Sequence, residues 1–266
     1  MNRWISAALA LFFAGFAQAA EPPIQVMAAG SLRSALGEMA DAFTRQSGIA
    51  VETRFASAGT LHERIEKGEK ADLFVSADMA APQALADEGR ADPVVLFARN
   101  RMCAFVRPGL SVTPAILLAT LLDPKMTVGT STPKADPGGD YAWAIFARAE
   151  AVRPGSRAAL EEKARRFLDR PTPAKAPEGA NPLAWMLGHG QADLFIAYCS
   201  GGKAVLDQLP GAASVEMPAD LAVTPQFGLT VLSGGSPSAA RFALFMLSRT
   251  GREILVRNGF EAPSEY

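Results

Sequence analysis

Histidine is nearly missing from this chain: there are two in 266 residues, His62 and His189. That excludes a histidine-rich metal centre, and neither ring has an Asp partner in the sequence that would make it a general base. An excess of one charge is missing as well, with 26 Lys and Arg against 27 Asp and Glu. A nucleic-acid partner needs a basic face and is therefore not expected. The one dense basic cluster, Lys163-Ala164-Arg165-Arg166 after Glu161-Glu162, reads as the solvated face of a helix. Catalytic signatures are absent: no G-x-S-x-G, no G-x-x-x-x-G-K-[ST], no H-E-x-x-H. Tyr198-Cys199-Ser200-Gly201 has the outline of a nucleophile turn, but no base can be assigned to it. Asp and Glu are scattered without visible pairing, so an enzyme is not the expectation.

Long apolar runs are confined to the first twenty residues. Arg3 gives a short positive region, Ile5 to Phe16 is apolar, and Ala17-Gln18-Ala19 has the A-x-A form of a cleavage site. Residues 1–20 therefore read as a signal peptide, with the mature chain starting at Ala20 or Glu21. The competing reading, an uncleaved anchor, is disfavoured because the run is too short to span a bilayer comfortably. No Cys follows it, which excludes lipid attachment there. No later run reaches the roughly 18 apolar residues of a membrane helix, so a soluble, periplasmic protein is expected. Cysteine is scarce too: only Cys103 and Cys199. In an oxidising compartment an even number invites a disulfide; two separate buried thiols are the other reading. The absence of C-x-x-C excludes a thiol-redox motif.

What is present is alternation. Strand candidates fall at Ile24–Ala28, Val51–Phe55, Leu73–Ser76, Val94–Phe97, Met102–Val106, Thr127–Gly129, Leu194–Tyr198, Ser214–Met217 and Leu229–Leu232. Helical patterns separate them: 31–46, 60–66, 79–88, 114–122, 140–150, 156–168, 182–188, 203–209, 238–247 and 251–258. Strands alternating with helices predict an α/β fold with mostly parallel sheets. Asp169 to Pro182, rich in Pro and Ala, reads as a surface loop.

Two turns stand out. Ile24–Ala28 runs into Ala29-Gly30-Ser31 and then a helix whose Leu32, Leu36, Met39, Ala40 and Phe43 share a face. Phe55-Ala56-Ser57-Ala58-Gly59-Thr60-Leu61 repeats the arrangement. Each such turn leaves backbone N–H groups unpaired at the positive end of a helix, which suits an anion. The plainer reading is capping: Ser31 on the first helix, and Thr60 with Glu63 as a capping box on the second. Both serines directly follow a strand, however, and ligands of α/β sheets sit beyond the carboxyl ends of strands. Asp72-Leu73-Phe74-Val75-Ser76-Ala77-Asp78 is a buried strand whose Asp78 caps the next helix. Asp136-Pro137-Gly138-Gly139-Asp140-Tyr141 is a further Gly-rich turn before a helix; it could offer backbone N–H groups to the same ligand from a different domain, but by itself it reads as a plain turn and cap.

In order along the chain, Ala28-Ala29-Gly30-Ser31-Leu32, Phe55 to Leu61, Ala71 to Asp78 and the closing Phe245-Met246-Leu247-Ser248, Gly251 to Leu255 and Asn258-Gly259-Phe260 resemble the periplasmic molybdate-binding proteins of ABC importers. The resemblance implies two lobes joined by a hinge, each a mostly parallel sheet flanked by helices, with molybdate or tungstate in the cleft. It implies neutral donors, with no cofactor and no metal beyond that of the anion. Ser31 matches the family's first ligand serine. The second falls on Ala58, where the hydroxyl is missing but the N–H remains, between Ser57 and Gly59. Gly138 matches the small residue of the third contact, Tyr198 the tyrosine that donates its hydroxyl, and a contact from a helix start falls near Asn181. The expected lobes are 21–98 with 211–266, and 99–210, crossing at Arg99–Val106 and after Tyr198. The expected partners are the oxyanion and an ABC permease of the inner membrane, and the expected state is a monomer. A binding protein for another small anion or metal, or a secreted hydrolase using Ser31 or Ser200, are the alternative readings.

Overall fold

The computed structural model describes residues 21–166 and 176–263. The signal-peptide reading and the first half of the Pro- and Ala-rich loop lie outside the described residues. The elements follow in chain order. The first group is β1 (Ile24–Ala29), α1 (Arg33–Ser47), β2 (Val51–Ala56), α2 (Ala58–Glu66), β3 (Leu73–Ser76), α3 (Ala80–Asp87) and β4 (Val95–Arg99). Next come β5 (Met102–Val106), α4 (Leu117–Leu122), β6 (Val128–Thr130), α5 (Pro137–Val152), α6 (Ser156–Lys163), β7 (Arg165–Arg166), α7 (Pro182–Gly188), β8 (Leu194–Tyr198), α8 (Gly202–Gln208) and β9 (Ala213–Glu216). The chain closes with β10 (Gln226–Val231), α9 (Pro237–Leu247) and α10 (Arg249–Arg257).

Two five-stranded sheets result, ordered β2-β1-β3-β10-β4 and β7-β6-β8-β5-β9. In each, one strand runs against the other four: β10 is antiparallel to β3 and β4, and β5 is antiparallel to β8 and β9. These are the two strands that begin just after the chain crosses between lobes. A strand entering from the other lobe starts at the edge where its neighbours end, so it must run the opposite way. The carboxyl ends of β1, β2 and β3 thus share one edge with the start of β10. The ends of β6 and β8 share the facing edge with the start of β5.

The central strands β1, β3, β5 and β8 are apolar on both faces because helices cover both sides. Along β5, Met102, Ala104 and Val106 point into the main core while Cys103 and Phe105 join a second cluster with Ala184, Leu187 and Phe195. Helix α1 buries Ala35, Leu36, Met39, Ala40 and Phe43 and ends at Gly48, whose φ of 75° is left-handed and so suits glycine. Cys103 and Cys199 are disulfide-bonded, which resolves the cysteine alternatives in favour of the bridge.

Three expectations need correction. The strand near 214 does not return to the first sheet: β9 pairs with β5, Cys103 opposite Glu216 through Val106 opposite Ala213. The second crossing therefore comes after β9, because the edge of β5 is open to a partner. The helix expected over 156–168 stops at Lys163, whose ammonium donates to the carbonyls of Leu121 and Asp123. Arg165 and Arg166 are then not a helix face but a short edge strand on β6. Finally, α2 is capped by Ser57, whose Oγ accepts from the Thr60 N–H at 3.3 Å; Thr60 lies inside the helix.

Candidate functional site

The crossings are tied together at one buried residue. Asn100 is fully buried. Its amide donates to Ser200 Oγ at 2.8 Å, its Oδ1 accepts from the Arg101 N–H at 2.8 Å, and its own N–H donates to the Pro225 carbonyl at 2.9 Å. Cys199 N–H donates to the Arg101 carbonyl at 2.8 Å. These bonds form the floor beneath the two facing strand edges.

From the first lobe, Ser31 sits in a 3-10 turn, Gly30–Leu32, directly after β1. It does not cap α1: its Oγ is sealed from solvent and makes no hydrogen bond. The physical reason is the turn itself, which puts Ser31 inside a helical segment rather than ahead of one. Ser57 follows β2 and is the N-cap of α2, its Oγ 2.8 Å from Thr60 Oγ1. Ala58 is buried at the first turn of α2, where N–H groups have no acceptor within the helix. Asp78 follows β3 and accepts from the Ala81 N–H at 2.7 Å, so it caps α3 as expected. Burial raises its carboxyl above the usual range, against the pull of the Ala81 N–H and the Ser76 hydroxyl; Asp140 of the other lobe pushes it further up.

From the second lobe, Tyr198 ends β8 and is 9% exposed; its hydroxyl is buried with no partner. Burial first, and Asp136 second, raise it well above the usual range, so the phenol stays neutral and keeps a proton to donate. Its ring lies edge-on to Phe227 of β10 at 5.4 Å and to Tyr141 of α5 at 6.2 Å. Gly138 is in the first turn of α5, a 16-residue helix. A methyl on Gly138 would stand 3.4 Å from Asp136 Oδ2, 3.5 Å from Tyr198 Cε2 and 3.6 Å from Ser131 Oγ. One glycine thus brings the helix start, the tyrosine, a serine and a carboxylate to one point.

The lobes touch. A methyl on Gly59 of α2 would lie 2.9 Å from the Ala135 carbonyl, and the Tyr141 hydroxyl accepts from the Gln226 N–H at 3.1 Å. Asp78 of the first lobe also acts on Asp136, Tyr141 and Tyr198 of the second. Asn181 stands apart. Its Oδ1 accepts from Leu183 and Ala184 N–H, capping α7. That helix packs with Cys103, Phe105 and Phe195, on the face of β8 opposite the side that carries Tyr198.

Sequence reading missed Asp136 and Tyr141 as members of this group. Part of the signal was present: Asp136 is the N-cap of α5 and Tyr141 lies in the second turn of that helix, in the Gly-rich segment already singled out. The described residues contain no group of three or more His, Cys, Asp or Glu placed to hold a metal ion. None of their helices is long and apolar enough to cross a membrane.

A mixed α/β pair of lobes is shared with known proteins. The chain is 28% identical over 269 residues to the molybdate-binding protein ModA of Haemophilus influenzae, covering 97% of each. Among solved structures, the periplasmic molybdate-binding protein of Azotobacter vinelandii superposes with a TM-score of 0.72 at 19% identity, covering 91% of this chain and 100% of that one. The sulfate-binding protein SubI of Mycobacterium tuberculosis superposes with a TM-score of 0.74 at 16% identity, over 91% and 87%. The model of the bacterial extracellular solute-binding proteins matches residues 24–261, and the chain belongs to that family.

Proposed function

We propose that this protein captures a tetrahedral oxyanion, molybdate and also tungstate, between its two lobes and delivers it to an ABC permease. Its place would be the periplasm, reached by a cleaved signal peptide at residues 1–20. Proteins of this family bind solutes rather than transform them. The observation that carries the ligand reading is a pair of buried hydroxyls without partners, Ser31 Oγ and Tyr198 OH, on the facing edges of the two lobes. A buried donor left unpaired costs free energy, and a tetrahedral anion in the cleft would pair both at once. Backbone N–H groups at Ala58, Gly59 and Gly138 complete a donor set without charge. Ser57 and Asn181 contribute as caps that fix the starts of α2 and α7. Neutral donors suit an anion that is ionised throughout the working pH range, and selectivity then follows from size and donor count. The molybdate-binding relative and the molybdate-binding structural neighbour support this ligand. The sulfate-binding neighbour supports the second reading, sulfate, with the same donors.

A thermal-shift comparison of molybdate, tungstate and sulfate on the mature protein tests the proposal. Ligand at 100 times its dissociation constant adds about 2.7 kcal/mol of stability. Molybdate and tungstate are expected to raise the melting temperature and sulfate far less. A larger shift with sulfate selects the second reading; no shift with any of the three overturns both.

A further inference from the structure

Beside the neutral donors stands one group that does not belong in a site for a fully ionised anion. Asp136 places Oδ2 3.4 Å from the point above Gly138 that Tyr198 Cε2 approaches to 3.5 Å. An oxyanion placed at the start of α5, beside the Tyr198 ring, would lie against this carboxyl. The groups facing Asp136 give it no counter-charge. On α5 they are Asp140, which is exposed, and Tyr141; on β8, Tyr198; across the cleft after β3, Asp78. Ser131, in its own loop, offers a hydroxyl, and Lys134 of that loop is exposed and turns its backbone N–H to Asp140 at 2.9 Å. Charge repulsion between a carboxylate and a dianion in contact is large where water is excluded, and no Lys or Arg is among the groups that shift Asp136, Asp78 or Tyr198. A proton between the two removes it, turning the carboxyl from an acceptor that repels the anion into a donor that holds it.

Resting on the oxyanion reading, we infer that the cleft takes up its anion together with one proton, held between the Asp136 carboxyl and an oxygen of the ligand. Asp136 then acts as a specificity residue, beside the neutral donors, and favours anions basic enough to share that proton. Burial already lifts the Asp136 carboxyl above the usual range, opposed by Ser131 and the Gly138 N–H and reinforced by Asp140 and Asp78, which is the direction the inference needs. The balance is simple: the ligand arrives ionised, solvent supplies the proton, and no covalent bond to the ligand is made or broken.

The test is calorimetric titration of the mature protein with molybdate, tungstate and sulfate, at pH values where all three are fully ionised, in buffers of different ionisation enthalpy. The expected slope of the apparent enthalpy against buffer enthalpy corresponds to uptake of about one proton, and affinity should fall about tenfold per pH unit as the free Asp136 ionises. Asp136→Asn keeps the shape and removes the charge; it should abolish the uptake and the pH dependence while still binding. Asp78→Asn, the other cleft carboxyl, should keep both. Binding by the wild type without proton uptake, or uptake that survives in Asp136→Asn and disappears in Asp78→Asn, overturns the inference and leaves the oxyanion reading standing. No binding of any of the three anions overturns both. If Asp136→Asn does not fold, Asp78→Asn carries the assignment: uptake kept there supports Asp136, and uptake lost there overturns the inference.

Discussion

Replacing Tyr198 by Phe separates a ligand donor from a structural hydrogen bond, because the two roles predict opposite signs. The ring would stay in place: its edge-on contacts to Phe227 at 5.4 Å and Tyr141 at 6.2 Å need no hydroxyl. The hydroxyl itself has no partner and is sealed from solvent. A buried polar group in that condition costs about 1–3 kcal/mol. With the lobes apart, water would reach it and the cost would vanish. Tyr198→Phe should therefore leave the ligand-free protein as stable as wild type or raise it by up to that amount. In the complex, the same change removes a hydrogen bond to a charged group, worth about 1.5–3 kcal/mol, or roughly 10- to 150-fold in affinity. With molybdate at 100 times the wild-type dissociation constant, ligand stabilisation would drop from about 2.7 kcal/mol to about 0.4 kcal/mol for a 100-fold weaker variant. Thermal unfolding with and without molybdate, joined to calorimetric titration, reads both effects. A variant that melts lower without ligand and binds with wild-type affinity would refute the reasoning, since the hydroxyl would then be serving the fold.

Ser31→Ala should show the same pairing of signs, weaker molybdate binding by about 10- to 150-fold with no loss of ligand-free stability, measured in the same two assays. Ser57→Ala should do the reverse, lowering stability by about 1 kcal/mol through the lost cap on α2 with nearly unchanged affinity; an equal affinity loss in both serine variants would assign Ser57 to the ligand. Gly59→Ala would set a methyl 2.9 Å from the Ala135 carbonyl of the other lobe, so titration should show weaker binding while ligand-free unfolding stays at the wild-type temperature; unchanged affinity would mean that the contact is absent from the bound state. Reduction of Cys103–Cys199, which are 96 residues apart, should lower stability by up to about 4–5 kcal/mol in the chain-entropy model, and equal melting of oxidised and reduced protein would contradict it. Asp193 is pushed up by burial but pulled further down by Arg107, which donates at 2.6 Å, and by the Thr127 N–H at 2.7 Å. Its folded carboxyl therefore lies below its unfolded value, so its stabilisation is present at neutral pH and lost as pH falls through the acid range; Asp193→Asn should flatten that limb of the stability profile, and an unchanged acid limb would show that the pair does not matter.

Local chemistry made much of the molecule legible from sequence. Strand and helix positions followed from apolar period, so β3, β5, β8 and α7 fall where the pattern put them. The family likeness rested on short turns such as Ala29-Gly30-Ser31, whose backbone geometry is fixed within a few residues. Element ends were less secure. The pattern over 156–168 continued past Lys163, but Ala164 turns extended and Arg165–Arg166 pair with Gly129 and Thr130 of β6, a partner some thirty-five residues away in sequence.

Partnership was beyond the sequence. Whether Ser31 or Ser57 caps its helix depends on where the first helical turn begins, and the two similar turns resolved differently: Ser57 bonds to Thr60, while Ser31 is left without a partner. The allegiance of β9 to the second sheet depended on an open edge of β5, which exists only once β5 has paired with β8. Asp136 looked like a plain turn residue until folding brought Gly138, Tyr198 and, from the other lobe, Asp78 to it. Sequence alone determined the elements, the export signal expected at the N-terminus and the donors available, since these follow from side-chain chemistry and local periodicity. Tertiary structure decided which donors remain unpaired and which carboxyl faces them, because burial and charge proximity are properties of distant segments meeting.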